Sequence, residues 1–231
     1  MIEYKVLSRK YRPKKLTEVI GQDFTVQTLT NAFAKEKLAH AFLFTGIRGV
    51  GKTSIARIIA MGLNCETENK PTANPCGICS NCKAILQDRY EDVLEIDAAS
   101  NTGVDDVREI ISSLKYRPSK GSYKVFIIDE VHMLSNSAFN ALLKTIEEPP
   151  SFVKFIFCTT EMQKIPITIV SRCQKYNLNR VTLTALCNYL EEIAELEKLD
   201  ISKQAIAVIA RNSEGSIRDS LTILDQCILS F

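Results

Sequence analysis

The sequence predicts an α/β fold, a parallel five-stranded sheet flanked by helices, followed by a small domain made only of helices. Three observations carry that expectation. Short apolar runs rich in β-branched and aromatic residues alternate with amphipathic stretches at helical spacing. A glycine-rich turn joins the first of these runs to a helical stretch, and beyond about residue 178 only helical periodicity remains.

The strands, in order, are AFLFTG (41–46), VLEIDA (93–98), KVFIIDE (124–130), VKFIFCTT (153–160) and, as the last, QKYNLN (174–179). The first four are too continuously apolar to be half-exposed. Strands buried on both faces and separated by helices such as TSIARIIAMGL, VDDVREIISSL and SAFNALLKTIEE form a parallel sheet covered on both sides. From Thr182 three helical stretches follow, TLTALCNYLEEIAELEKL, SKQAIAVIARNSEG and SIRDSLTILDQCILSF, with Ser202 and Ser216 as N-caps and Gly215 as a stop. The chain therefore divides into a body, 1–178, and a helical appendage, 179–231. Its last helix runs to the final residue without a stop signal, which predicts a piece of a longer protein.

Hydrophobic residues make up 45% of the 231, ample for a core, and the formal charge is only +2, so any grip on nucleic acid must come from a local patch. Two groups qualify: Lys5, Arg9, Lys10, Arg12, Lys14 and Lys15 near the N-terminus, and KYRPSKGSYK (115–124). Each is either a solvated face or a track for phosphates. The N-terminus has no apolar leader core, and no run reaches the roughly 18 uncharged residues of a membrane span, so the chain is expected to be cytoplasmic, without a membrane partner.

GIRGVGKT, comprising Gly46, Ile47, Arg48, Gly49, Val50, Gly51, Lys52 and Thr53, matches G-x-x-x-x-G-K-[ST] in the required strand–turn–helix context. Its glycines let backbone N–H groups curl toward phosphates at a helix N-terminus that includes Ser54. Lys52 reaches the β- and γ-phosphates of ATP, and the Thr53 hydroxyl holds Mg²⁺. The bland alternative is a glycine turn with a surface lysine. Asp129 and Glu130 close the third strand, and buried carboxylates there need a positive partner. Magnesium is that partner for Asp129, directly or through water, while Glu130 polarises the attacking water. Solvated carboxylates at a turn are the competing reading. DEVH also resembles the box of nucleic-acid helicases, which need two such sheets where this chain has one. Thr159 and Thr160 end the next strand on the same edge, where one hydroxyl, assigned to Thr160, feels the γ-phosphate or the water; threonine is also simply a good strand residue.

Four of the eight cysteines, Cys65, Cys76, Cys79 and Cys82, crowd into one polar segment. Four sulfurs with no open position describe a closed tetrahedral zinc site, with an iron–sulfur cluster or redox use of one C-x-x-C pair as alternatives. Cys158, Cys173, Cys187 and Cys227 read as small core residues.

Taken together, GIRGVGKTSIARIIA, FIIDEVHML, FNALLKTIEEPP, CTTE, IVSRCQ and GSIRDSL resemble the AAA+ clamp-loader ATPases of bacterial replication, and LSRKYRPKKLTEVIGQ, the cysteines and EIDAASNTGVDDVRE extend the likeness over essentially the whole chain. The resemblance implies an AAA+ ATPase domain with a zinc-binding insertion at 65–82, followed by a lid. It makes Arg172, which has no acidic mate nearby in sequence, a finger offered in trans to the ATP of the adjacent subunit. It makes Arg218 the lid arginine that contacts the γ-phosphate, and it puts Val19, Ile20 and Gly21, helped by Arg12 and Pro13, around the adenine; Val19 and Ile20 also read as core residues.

The implied function is that of an ATP-hydrolysing motor which opens a sliding clamp and loads it onto primed DNA. Other loader subunits of the delta, delta prime and gamma/tau types are the implied partners, and longer forms of the family reach polymerase and helicase. Members are classed with the replicative polymerase, but no polymerase active site is present in this sequence. The rival readings are a scaffold subunit that holds nucleotide without turnover, and an AAA+ remodeller with another target. Full-length members carry a collar that assembles the ring, so this chain alone is expected to be monomeric or weakly associating, with little turnover.

Overall fold

The computed structural model describes residues 5–68, 70–100 and 103–230. Asn101, Thr102 and Phe231, which belong to segments quoted above, lie outside them. The helices are α1 (Leu7–Lys10), α2 (Asp23–Ala34), α3 (Lys52–Asn64), α4 (Ser80–Leu86), α5 (Val104–Ser113), α6 (Asn136–Glu147), α7 (Ile167–Val170), α8 (Leu183–Leu196), α9 (Lys203–Asn212) and α10 (Ile217–Ser230). The strands are β1 (Ala41–Thr45), β2 (Val93–Asp97), β3 (Lys124–Asp129), β4 (Val153–Thr159) and β5 (Gln174–Asn177).

All five strands pair in parallel in the order β2-β3-β4-β1-β5. β1 and β4 are buried at every residue, as continuous apolar runs between two helical layers must be. β2 departs from the expectation that its run is buried on both faces: it is an edge strand, and its Leu94 is 43% exposed. A strand with a neighbour on one side only keeps part of its surface in water, and Glu95 and Asp97 in the run already marked it.

Helix α3 covers one face of the sheet through Ile55, Ile58 and Ile59, against Phe42, Phe44 and Tyr176. On the other face α5 and α6 pack Val107, Ile110, Phe139 and Leu142 against Phe126, Phe155 and Phe157. A third core joins α8, α9 and α10 through Leu186, Leu190, Ile206, Ile209, Leu221 and Leu224. Ser202 Oγ accepts from the Ala205 N–H and Ser216 Oγ from the Asp219 N–H, both at 3.2 Å, so these serines cap α9 and α10 as predicted. Leu7 of α1 is buried in this third core, although the sequence reading assigned the N-terminus wholly to the body. Its N–H donates to Asp225 Oδ2 at 3.2 Å. Sequence reading also passed over α2, whose buried face includes Thr25 beside Leu29 and Phe33 and so weakens the apolar period.

Candidate nucleotide-binding site

The loop between β1 and α3 is set by its glycines. Gly49 (φ +81°) and Gly51 (φ +106°) occupy the left-handed region that other residues avoid. At Gly49 a Cβ would stand 2.0 Å from Ser216 Oγ, so the loop lies directly against the cap of α10. The Arg218 N–H donates to Gly49 O at 3.3 Å, which seats Arg218 over the loop. No side chain caps α3, whose N-cap is Gly51, and its first-turn N–H groups remain suited to an anion. Lys52 is buried and donates to the carbonyls of Gly46 (2.8 Å) and Ile47 (3.0 Å). Burial lowers its pKa, and the carboxylates of Glu130 and Asp129 oppose that shift. Ile47 and Val50 pack into the core while Arg48 is exposed.

The strand order brings the remaining groups together. β4 lies between β1 and β3, so its C-terminal end emerges between the loop and the acidic pair. Thr53 Oγ1 donates to Asp129 Oδ2 at 2.7 Å, and Asp129 Oδ1 accepts the Glu130 N–H at 2.9 Å. Glu130 has φ +44°, a strained conformation for a side chain of its size, of the kind that collects at functional sites. Its Oε2 accepts two bonds from Thr160, from N–H at 3.2 Å and Oγ1 at 3.0 Å. Thr159 is fully buried and its hydroxyl lies against His132 Nδ1 at 3.0 Å, so the hydroxyl beside the acidic pair is that of Thr160.

Arg12 Nε donates to Ser54 Oγ at 3.3 Å. Burial lowers its pKa, as does Arg57, against Glu95 and Asp129. Val19 is buried, with Cγ1 4.0 Å from where a Cβ on Gly51 would be, while Ile20 packs on the third core and Gly21 abuts Val181. These three line the seam between loop and lid. Sequence reasoning missed two features: His132, and the bidentate pair of Arg57 with Glu95 (2.5 and 2.8 Å) that ties α3 to β2. The quoted DEVH contained the first; nothing in sequence links the partners of the second.

Arg172 stands just beyond α7. It donates to Thr168 O at 2.6 Å and forms an ion pair with Glu147 at the end of α6, the acidic mate its sequence surroundings lacked. Among the described residues its contacts are with α6 and α7, not with the phosphate loop or the acidic pair.

Elsewhere, the sulfurs of Cys65, Cys76, Cys79 and Cys82 all lie within 4.8 Å of one another. The Cys79 N–H donates to Cys76 Sγ at 3.2 Å and the Cys82 N–H to Cys79 Sγ at 3.4 Å. Burial raises the Cys76 thiol, but N–H donors from Ile78 and Cys79 outweigh it and bring the pKa down to about 6. Burial pushes Cys82 up, and adjacent sulfur charge adds to the shift. Four sulfurs this close hold their negative charge together only around a cation, and an all-thiolate tetrahedral set fits zinc. Asn81 Nδ2 of α4 donates to Asn64 O at 3.0 Å, anchoring the cluster to the end of α3.

The family described as DNA polymerase III, delta subunit, matches residues 21–182, and the DNA polymerase III clamp loader subunit ATPase lid domain matches residues 185–230. The tau subunit of DNA polymerase III from Escherichia coli K12 is 48% identical over 229 residues, covering 99% of this chain and 35% of that protein. The Bacillus subtilis tau subunit is 48% identical over 98% of this chain and 40% of its own length, and the gamma subunit of Buchnera aphidicola subsp. Baizongia pistaciae 44% identical over 98% and 61%. The chain thus spans between about a third and three fifths of these relatives. Among solved structures, the Thermotoga maritima RuvB Holliday junction branch migration motor superposes with a TM-score of 0.66 at 25% identity, over 92% of this chain and 63% of that one, and places the fold among the AAA+ proteins. The chain belongs to the DNA polymerase III clamp-loader subunits, in the branch that holds the tau and gamma subunits.

Proposed function

We propose that the chain is the ATP-hydrolysing motor of a bacterial clamp loader. The observation that carries this reading is the convergence of Lys52, Thr53, Asp129, Glu130 and Thr160 from three separate segments onto one edge of the sheet. The phosphate loop, Gly46 to Thr53 with Ser54, receives the triphosphate on its N–H groups, and Lys52 leaves its carbonyl partners for the β- and γ-oxygens. Thr53 and Asp129 would hold magnesium, which when bound would offset the negative charge of the phosphates. Glu130 takes a proton from the water that attacks the γ-phosphorus as the bond to ADP breaks, and Thr160 orients Glu130. Arg218 reads the γ-phosphate from the lid. Val19, Ile20 and Gly21 receive the base at the seam, and Arg12 supports the phosphates.

Arg172 serves a neighbouring subunit. Its ion pair with Glu147 is partly exposed on both sides and therefore weak, so it can be exchanged for a phosphate across an interface. Residues 1–178 form the AAA+ body with the 65–82 zinc insertion, except that α1 packs on the core of the lid, 179–231. The working assembly joins delta, delta prime and further gamma/tau copies with the sliding clamp and primed DNA, and longer forms link polymerase and helicase. Among the described residues no helix is long and apolar enough to cross a membrane, in keeping with work in the cytoplasm.

Changing Glu130→Gln in the full-length protein within its assembly should preserve ATP binding and abolish DNA-stimulated turnover. Unchanged turnover would remove Glu130 from the mechanism, binding without turnover in the unaltered chain would leave a scaffold subunit, and purification without a clamp or loader subunits would point to a remodeller with another target.

A further inference from the structure

We infer that His132 is a positioning residue for hydrolysis: its ring clamps the residues on either side of Thr160, and so fixes the two donors that hold Glu130. The inference rests on the ATPase reading above. His132 is one of only two histidines in the chain, and its side chain is 6% exposed, in the turn that follows Glu130. Nδ1 lies 3.0 Å from Thr159 Oγ1 and 3.4 Å from Glu130 Oε2, and Nε2 lies 3.3 Å from Glu161 Oε1. Thr159 Oγ1 also accepts the Glu161 N–H at 3.0 Å.

The tautomer protonated at Nε2 satisfies the contacts to Thr159 and Glu161. Thr159 Oγ1, already accepting from Glu161, gives its own proton to Nδ1, and Nε2 keeps its proton and donates it to the Glu161 carboxylate. A buried ring with both nitrogens engaged resists displacement, because moving it leaves polar atoms without partners. Thr159 and Glu161 are thus tied to one rigid plane anchored beside β3. Thr160 sits between them, with its N–H and Oγ1 both aimed at Glu130. Thr159 Oγ1, held to the ring, also takes the Glu161 N–H, so the backbone on either side of Thr160 is tied through that hydroxyl to His132, and the Glu161 carboxylate, shared with Lys164, closes the ring's other side. A misplacement of about 1 Å in a catalytic group costs on the order of a hundredfold in rate, so a device that fixes Thr160 acts on the chemical step and leaves ATP affinity alone.

The test compares His132→Ala, His132→Asn and Thr159→Val in the full-length protein, assembled with its partner subunits in the presence of clamp and primed DNA. It measures steady-state ATP turnover, affinity for a non-hydrolysable ATP analogue, and the melting temperature. His132→Ala should lower kcat on the order of ten- to a hundredfold with analogue affinity within about twofold. His132→Asn, whose amide stands near the place of Nδ1, should recover most of that loss. Thr159→Val, nearly isosteric, should repeat the kcat defect without loss of affinity. Unchanged kcat in folded His132→Ala, equal kcat loss in the Asn and Ala variants, or affinity lost along with kcat, overturns the inference. If His132→Ala melts below the assay temperature, Thr159→Val decides, and full turnover in that variant overturns it. An unaltered protein that neither binds nor hydrolyses ATP overturns the ATPase reading itself, which separates the two failures.

Discussion

Thr53 Oγ1 and Asp129 Oδ2, 76 positions apart in sequence, stand 2.7 Å from each other and join the start of α3 to the end of β3. A hydroxyl and a carboxylate at that distance, beside the loop between β1 and α3, are the pair proposed above to hold magnesium. Asp129→Asn should lower ATP turnover by at least about a hundredfold and move the magnesium optimum to higher concentration. A magnesium titration of turnover checks this; an unchanged titration curve would remove Asp129 from the metal.

The pair of Arg172 with Glu147 is partly exposed on both sides, and such pairs contribute less than about 1 kcal/mol. Glu147→Gln should therefore leave the urea midpoint nearly unchanged. Arg172→Ala should also leave folding intact yet reduce turnover of the assembly by about 10³-fold, the lower end of what a trans arginine supplies in GTPases. Mixing experiments locate the effect: subunits carrying Arg172→Ala should still hydrolyse ATP when their neighbour donates an intact arginine. Loss confined to the altered subunit's own site would show that Arg172 acts in cis.

The four clustered sulfurs predict one tightly bound zinc per chain. Cys82→Ser, which replaces a buried sulfur of the cluster, should abolish stoichiometric zinc in elemental analysis and lower the melting temperature by several degrees. Because the cluster joins the C-terminal end of α3 whereas the proposed phosphate loop lies at its N-terminus, ATP affinity should fall far less than stability does. Full zinc content in the serine variant would disprove the four-ligand set.

Asp92 is buried and accepts N–H bonds from Ser119 (2.7 Å), Lys120 (2.8 Å) and Gly121 (2.8 Å). Burial pushes its carboxyl up, but the three N–H donors prevail and hold the pKa below its ordinary 3.8. A depressed folded pKa means that the stabilisation is fully present above the unfolded value and disappears as pH falls through the folded one. The 119–121 segment should loosen only in strong acid, read as faster amide exchange below about pH 4. Asp92→Ala should cost on the order of 2 kcal/mol at neutral pH, by stranding buried donors.

Much of this site is legible in sequence because its parts are local. The phosphate loop needs glycines at fixed offsets, the acidic pair needs an apolar strand before it, and four sulfurs within 18 residues announce a metal. N-caps at Ser202 and Ser216 are likewise one-turn events that depend on neighbouring residues. Other features were hidden where partners lie far apart in the chain. Arg57 with Glu95, and Arg172 with Glu147, are charges whose mates are chosen by which strands and helices happen to adjoin. β2 read as buried because an apolar run does not reveal which strand the sheet places at its edge. α2 was hidden by a polar threonine on its buried face, and α1 because four residues carry too little periodicity to declare which core they join.

The sequence by itself determined the chemistry: a phosphate-binding turn, a carboxylate pair, a set of thiolates, an alternation of elements that folds into a covered parallel sheet, and the family resemblance. These follow from short-range rules of backbone conformation and ligand charge. Only the tertiary structure showed that Thr160 bonds Glu130 while Thr159 turns to His132, that His132 also meets Glu161, and that Leu7 joins the core of the last three helices. The order of strands places β4 between β1 and β3, and contacts across a sheet depend on that order, which local residue preferences do not encode.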